Sequence, residues 1–121
     1  MSQYNVLIAE DERIIALDLK LYLQKNNNII ATITTTSEDL ISQYKHCLPN
    51  LIIVDVDLIT TDSNLMLGIL ESLEVPIILI SGYSKLDMGI GFDFLSKHEV
   101  LEKPIEHSEL LYLANKFFES S

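Results

Sequence analysis

A small set of acidic, basic and hydroxyl side chains follows directly on short apolar runs of the sequence. Glu10 and Asp11 follow the first run, Asp55 follows a later one, and Ser81 and Lys103 follow the last two. Carboxylates that met at one place would repel one another and need a cation, and hard oxygen ligands suit Mg²⁺. An ammonium group and a hydroxyl group could bind phosphoryl oxygens beside them. A carboxylate at the centre of such a group could act as a nucleophile and form an aspartyl-phosphate.

Alternating strands and helices would bring these positions together. Short runs rich in apolar residues, at 6–9, 29–33, 51–54, 75–80 and 99–102, alternate with amphipathic segments of helical length. This alternation is typical of βαβ units around a parallel sheet. The carboxyl ends of parallel strands meet at one edge, where ligands bind in doubly wound folds. The sequence therefore predicts a doubly wound α/β fold, a three-layer sandwich around a five-stranded parallel sheet.

The helical segments carry more specific expectations. Residues 13–25 are predicted to form a helix that covers the sheet with one broad apolar side, made of Ile14, Ile15, Leu17, Leu19, Leu21 and Tyr22. The run Thr36-Ser37-Glu38-Asp39 is expected to open a second helix, with a hydroxyl cap and acidic residues in its first turn. A polar loop at 60–63 is predicted to precede a third helix over residues 64–73, and an apolar face near the C-terminus predicts a closing helix.

Composition excludes several classes of function. The 121 residues suffice for one domain, and we expect a single domain over 1–121. Eighteen acidic residues against eight basic ones give a net charge of −10, which argues against binding to nucleic acid or to an anionic membrane. The apolar runs are too short to span a bilayer, and the N-terminus lacks a signal peptide pattern. One cysteine, Cys47, allows no intrachain disulfide. We therefore expect a cytoplasmic protein.

The order of these motifs resembles that of response-regulator receiver domains over nearly the whole chain. The resemblance is carried by residues 6–12, by the run 51–55, and by the pairs Ile80-Ser81 and Lys103-Pro104. It implies a flavodoxin-like fold with strand order 2-1-3-4-5 and a cis peptide bond before the proline. It also implies these roles: Glu10, Asp11 and Asp55 as ligands of Mg²⁺, the backbone carbonyl of Asp57 as a further ligand, Asp55 as the phospho-acceptor, Ser81 as the switch hydroxyl, and Lys103 as the phosphoryl-binding lysine.

The sequence also departs from the pattern of most receivers. Val100 stands three positions before the lysine, where most members have an aromatic residue, and the segment after Asp55 lacks the common Pro and Gly. Ser81-Gly82-Tyr83 resembles the Phe-Ala-Thr-Gly-Tyr subfamily, in which the fourth helix is irregular. Residues 85–97 contain two glycines, which disfavour a regular helix. Tyr83 is a candidate replacement for the missing aromatic switch.

The resemblance implies a stand-alone receiver that takes a phosphoryl group from a histidine kinase or a histidine phosphotransfer protein onto Asp55. The signal would then pass to an unknown downstream protein, by contact or by phosphorelay. Catalysis would be limited to the domain's own phosphorylation and dephosphorylation, so we do not expect an enzyme in the usual sense. Two alternatives remain: a pseudo-receiver that binds partners without phosphorylation, and a flavodoxin. The acidic run at 10–12 would repel a flavin phosphate and so disfavours the second.

Overall fold

The computed structural model describes residues 3–61, 63–82 and 97–120, which form a sheet with helices on both of its faces. The elements are β1 Tyr4–Ala9, α1 Arg13–Leu23, β2 Ile29–Thr34, α2 Ser37–Cys47, β3 Leu51–Asp55, α3 Val56–Thr61, α4 Ser63–Ser72, β4 Ile77–Ser81, β5 Glu99–Glu102 and α5 His107–Ser120. All strand pairs are parallel, and the order is β2-β1-β3-β4-β5. The predicted flavodoxin-like fold is confirmed. The predicted irregularity of the fourth helix concerns residues that mostly lie at 83–96, outside the described ranges.

The sheet separates two apolar layers. Alternate residues of each strand point to opposite faces, so Val6 and Ile8 of β1 join the layer under α1 and α5, whereas Leu7 joins the layer under α2, α3 and α4. All five residues of β3 are buried, as expected of a strand at the centre of a parallel sheet. The central strands are therefore rigidly held, and so are the residues at their carboxyl ends.

The face of α1 that covers the sheet is only part of the predicted one: Leu19 is buried as predicted, and Ile15 is partly buried against the same layer. Ala16, Leu19 and Leu23 are the buried residues of this helix. The side chains of Ile14, Leu17 and Leu21 are 86%, 50% and 57% exposed, so the expectation that they cover the sheet is wrong.

Apolar residues occur all round this helix, so periodicity alone did not select one face. The small side chain of Ala16 allows the helix to approach the sheet closely. The helix also ends at Leu23, two residues earlier than predicted, and Gln24 forms its C-cap.

The chain becomes helical immediately after β3, which the sequence reasoning did not predict. Val56–Thr61 forms α3, in which Val56 and Ile59 are buried, and Ser63–Ser72 forms α4. The predicted polar loop is therefore wrong at residues 60, 61 and 63, which are helical, because the apolar residues after Asp55 pack onto the sheet as a helical turn.

Other elements match their predictions. The hydroxyl of Thr36 accepts a hydrogen bond from the backbone N–H of Asp39, 3.1 Å away, which is the expected cap of α2. The closing helix α5 buries Leu110, Ala114 and Phe118 against the sheet. None of the helices in the described ranges is long and apolar enough to cross a membrane.

Candidate functional site

The polar residues selected from the sequence do meet at the carboxyl edge of the sheet. Glu10 follows β1 and is fully buried, Asp55 ends β3 with 1% exposure, and Ser81 ends β4 and is also buried. Lys103 follows β5, and Asp11 lies at the same edge with its side chain exposed. A parallel sheet presents all its carboxyl ends on one side, which explains why residues so distant in the sequence converge.

The ammonium group of Lys103 lies at the centre of the cluster. Its Nζ atom is 3.0 Å from Asp55 Oδ2, 3.2 Å from Glu10 Oε2 and 3.4 Å from Glu12 Oε1. Its side chain is 16% exposed, so these contacts are only partly screened by solvent. One cation therefore faces three carboxylates, and the cluster carries excess negative charge.

Asp55 is held at both carboxylate oxygens. Oδ2 contacts Lys103, and Oδ1 accepts a hydrogen bond of 3.0 Å from the backbone N–H of Asp57, the second residue of α3. Partial burial, together with the charge of Asp55, raises the pKa of Asp57 above its usual value. The start of α3 thus orients Asp55 at the edge of the sheet.

The carboxyl group of Glu10 is buried beside other acidic groups, and only one of its two oxygens accepts a hydrogen bond from the described residues. One oxygen, Oε1, accepts a 3.0 Å hydrogen bond from the backbone N–H of Glu12. The other, Oε2, is buried, and no described residue gives it a hydrogen bond of acceptable geometry, although Lys103 is near. Burial, followed by interaction with Asp55, raises the pKa of Glu10 from 4.5 to about 8. Oε2 therefore lies near one positive charge but accepts no hydrogen bond from the described residues, and this leaves it able to bind a further cation when Glu10 is ionised.

The donor set fits a divalent cation. Glu10, Asp11, Glu12 and Asp55 each offer a carboxylate oxygen, and these atoms all lie within 4.8 Å of one another. Hard divalent cations such as Mg²⁺ favour oxygen ligands of this kind. The buried Oε2 atom of Glu10 is a second indication of a cation site, independent of the clustering of the carboxylates, because a cation there would bind an oxygen that accepts no hydrogen bond from the described residues.

The electrostatics of Lys103 support a role as a fixed positive charge. Burial by itself lowers the pKa of Lys103, but the contacts with Asp55 and then Glu10 outweigh it, so the pKa is raised above the usual value. The lysine is therefore charged throughout the physiological pH range. A charged ammonium group beside a carboxylate is suited to binding phosphoryl oxygens.

Ser81 and the lysine are also tied together through the backbone. The carbonyl of Ser81 accepts a 2.7 Å hydrogen bond from the backbone N–H of Lys103. The peptide bond between Lys103 and Pro104 is cis, as predicted. The hydroxyl-bearing and lysine-bearing strand ends are thus fixed side by side.

Sequence reasoning noted Glu12 as part of the acidic run but gave it no role. The structure brings its carboxylate to Lys103. A role could have been suspected from its position in the sequence. Glu12 is the N-cap of α1, where Ser, Thr, Asp or Asn is preferred, so a glutamate there is unusual. A second feature that was missed is the pair of Asp18 and His107, 2.7 Å apart, which joins α1 to the start of α5.

Comparison with known proteins identifies the family. The model of the response regulator receiver domain family matches residues 6–115, so the chain belongs to this family of signalling domains. A comparison with curated protein sequences found no significant match.

Solved receiver domains share the fold. Similar structures include a CheY-like receiver domain from Methylobacillus flagellatus, with 21% identity, a TM-score of 0.79, and coverage of 96% of this chain and 99% of that one. The receiver domain of the Francisella response regulator 1452 is 22% identical with a TM-score of 0.80, and 98% of each chain is covered. A CheY-like receiver domain from Methanospirillum hungatei is 21% identical with a TM-score of 0.80, and 98% of this chain and 96% of that one are covered. The similarity to a narrower receiver subfamily stays a prediction.

Proposed function

We propose that the domain accepts a phosphoryl group on Asp55 from a histidine kinase or a histidine phosphotransfer protein, with Mg²⁺ held by Glu10, Asp11, Asp55 and the backbone carbonyl of Asp57. The observation that carries this proposal is the buried Asp55 carboxylate in contact with a charged lysine inside a carboxylate cluster that fits a cation. Membership of the receiver family supports the same reaction.

The residues act on a group that gains negative charge as it is transferred. An oxygen of Asp55 attacks phosphorus and forms the new O–P bond, and the P–N bond to the donor histidine breaks with the electron pair going to the ring nitrogen. Lys103 neutralises charge on the phosphoryl oxygens, and the hydroxyl of Ser81 donates a hydrogen bond to one of them. Bound Mg²⁺ supplies further electrostatic stabilisation of these oxygens. Water later attacks phosphorus, the O–P bond to Asp55 breaks, and inorganic phosphate leaves, which restores the free carboxylate.

We further propose that the exposed apolar stripe of α1 receives the protein donor. Ile14, Leu17 and Leu21 lie on the face of α1 opposite the core and are all at least half exposed. The stripe is continuous with the site, because a cavity of about 520 Å³ is lined by Ile14 of α1 and by Lys103. A donor that presents phosphohistidine to Asp55 must lie over this edge, and an apolar helix surface beside the site suits it.

Phosphorylation of Asp55 changes the populations of the surface conformations of the domain. A downstream protein in the cytoplasm then responds, by direct contact or by phosphorelay. The domain is a signalling module, and its catalysis is limited to its own phosphorylation and dephosphorylation.

Intact mass measurement after incubation with acetyl phosphate and MgCl₂ tests the proposal. The wild type should gain the mass of one phosphoryl group, and Asp55→Asn should gain none. Asp39→Asn, which changes an acid on α2 outside the cluster, is the matched control and should be labelled like the wild type. A wild type that stays unlabelled with small donors and with phosphorylated histidine phosphotransfer domains would instead favour the pseudo-receiver, which the loss of the aromatic residue at Val100 also suggests.

A further inference from the structure

Glu12 has a side-chain geometry that its position at the start of α1 does not explain. Its backbone forms the N-cap of α1, yet its side chain makes no capping hydrogen bond, and glutamate is a poor capping residue. Its backbone N–H donates to Glu10 Oε1, which fixes the residue directly beside the buried acid. Its carboxylate turns to Lys103 Nζ, 3.4 Å away.

The position of Glu12 relative to solvent distinguishes it from the other two partners of this lysine. Glu10 and Asp55 are buried beneath the ammonium group, whereas the side chain of Glu12 is 60% exposed. Glu12 therefore contacts Lys103 from the solvent side. Any phosphodonor that approaches Asp55 from solvent meets the field of this carboxylate before it reaches the lysine.

We propose that Glu12 is a specificity-determining residue of the phosphorylation site, whose carboxylate restrains Lys103 on the solvent side and selects against dianionic phosphodonors such as acetyl phosphate in favour of donors with a lower net negative charge, such as phosphoramidate. This inference rests on the proposed function of Asp55. It goes beyond that function because it assigns donor selection to a residue outside the phospho-acceptor and its phosphoryl-binding lysine.

The two small donors differ in charge but give the same product. Acetyl phosphate is a dianion: an oxygen of Asp55 bonds to phosphorus, the P–O bond breaks, and acetate leaves with the electron pair. Phosphoramidate carries one net negative charge, because its nitrogen is protonated. Its P–N bond breaks and ammonia leaves with the electron pair. The aspartyl-phosphate is identical, so a difference in labelling rate reports on the approach of the donor.

The expected size of the effect follows from the distances. Ligand oxygens of Glu12 and Asp55 lie within 4.8 Å of each other, so a donor in contact with Asp55 has its charge roughly 6 Å from that of Glu12. In water one unit of charge at this separation changes a rate about threefold. Neutralising Glu12 should therefore accelerate labelling by phosphoramidate about threefold and by acetyl phosphate about tenfold. The ratio of the two rates should shift about threefold toward acetyl phosphate.

The test measures initial labelling rates of the full chain by intact mass at saturating MgCl₂, with each donor, for the wild type, Glu12→Gln, Glu12→Asp and Glu119→Gln. Glu119 is an exposed acid in the last turn of α5. Its neighbour Phe118 stacks on Tyr4 at the start of β1, so this turn lies at the edge of the sheet opposite the site, and Glu119→Gln controls for net charge. Glu12→Gln should shift the donor ratio, Glu12→Asp should keep the wild-type ratio because it keeps the charge, and Glu119→Gln should change neither rate. The shift should also shrink at an ionic strength near 1 M, where charges a few ångströms apart are screened.

Several results would overturn the inference and leave the proposed function intact. They are a donor ratio in Glu12→Gln equal to that of the wild type, the same shift in Glu119→Gln, and a Glu12→Asp variant that behaves like Glu12→Gln. A wild type that neither donor labels on Asp55 refutes the proposed function, and the inference about Glu12 fails with it. A merely structural role of Glu12 at the start of α1 would alter both rates equally and leave their ratio unchanged.

Discussion

The raised pKa of Glu10 predicts that the protein without divalent cations loses stability as the pH rises from 7 to 9. The pKa of this buried carboxyl group is about 8 in the folded protein, against 4.5 for an ordinary glutamate. The folded state therefore binds a proton that the unfolded state has already released. Because the folded state holds more protons in this range, the free energy of unfolding must fall as the pH rises.

The magnitude follows from the two pKa values. At pH 7 about 90% of the folded molecules carry the proton on Glu10, and at pH 9 about 10% do. The unfolded state carries almost none at either pH, so the free energy of unfolding should fall by about 1.4 kcal/mol between them. His98, whose pKa is lowered by burial, contributes stability that is lost only as the pH falls below 6.5, so it leaves this window unaffected. Lys103, with its raised pKa, stays protonated in both states until the pH is higher still.

Urea titrations in EDTA at pH 7, 8 and 9 measure this dependence, with the free energy of unfolding obtained by linear extrapolation. Glu10→Gln is the matched control: it keeps the size of the side chain, has no proton to lose, and should flatten the dependence. Saturating MgCl₂ should also flatten it, because a cation at the carboxylates favours the ionised form; NaCl at matched ionic strength should not. A Glu10→Gln variant that loses as much stability as the wild type would refute the assignment to Glu10.

Three further predictions concern stability and phosphorylation. Lys103→Met should lower the free energy of unfolding in EDTA by about 3–5 kcal/mol, because the buried Asp55 carboxylate loses its cation. MgCl₂ should restore part of this stability in urea titrations, and a variant as stable as the wild type would contradict the prediction. Leu19→Ala should lower the free energy of unfolding by about 2–5 kcal/mol in the same assay, because Leu19 is buried. Leu21→Ala should change it by no more than about 0.5 kcal/mol, because Leu21 is exposed. The reverse order would contradict the observed face of α1. Ser81→Ala should slow labelling of Asp55 without abolishing it, measured by intact mass, because it removes one hydrogen bond to the transferred group; a complete loss would give the hydroxyl a larger role.

Much of the fold could be predicted because strand signals were strong and local. β3 and β4 are short apolar runs that end at Asp55 and Ser81, and the residue after each run marked the edge of the sheet. The helices were harder. α1 has apolar residues on every side, and its contact with the sheet was decided by the close fit of Ala16 and Leu19. The helical turn at Val56–Thr61 forms because its apolar residues have a sheet to cover.

The sequence by itself determined which residues stand at the ends of the strands, since strand periodicity and the parallel arrangement depend on local apolar patterns. It also indicated a negative cluster around Asp55, because acidic residues follow two neighbouring strands. Only the tertiary structure decided how these charges are shared. It buried one oxygen of Glu10 where no described residue donates a hydrogen bond to it, placed Lys103 among three carboxylates, and turned the side chain of Glu12 away from the start of α1. Interaction energies between charges depend on separations of a few ångströms and on exposure to water, and both are set by how distant segments pack.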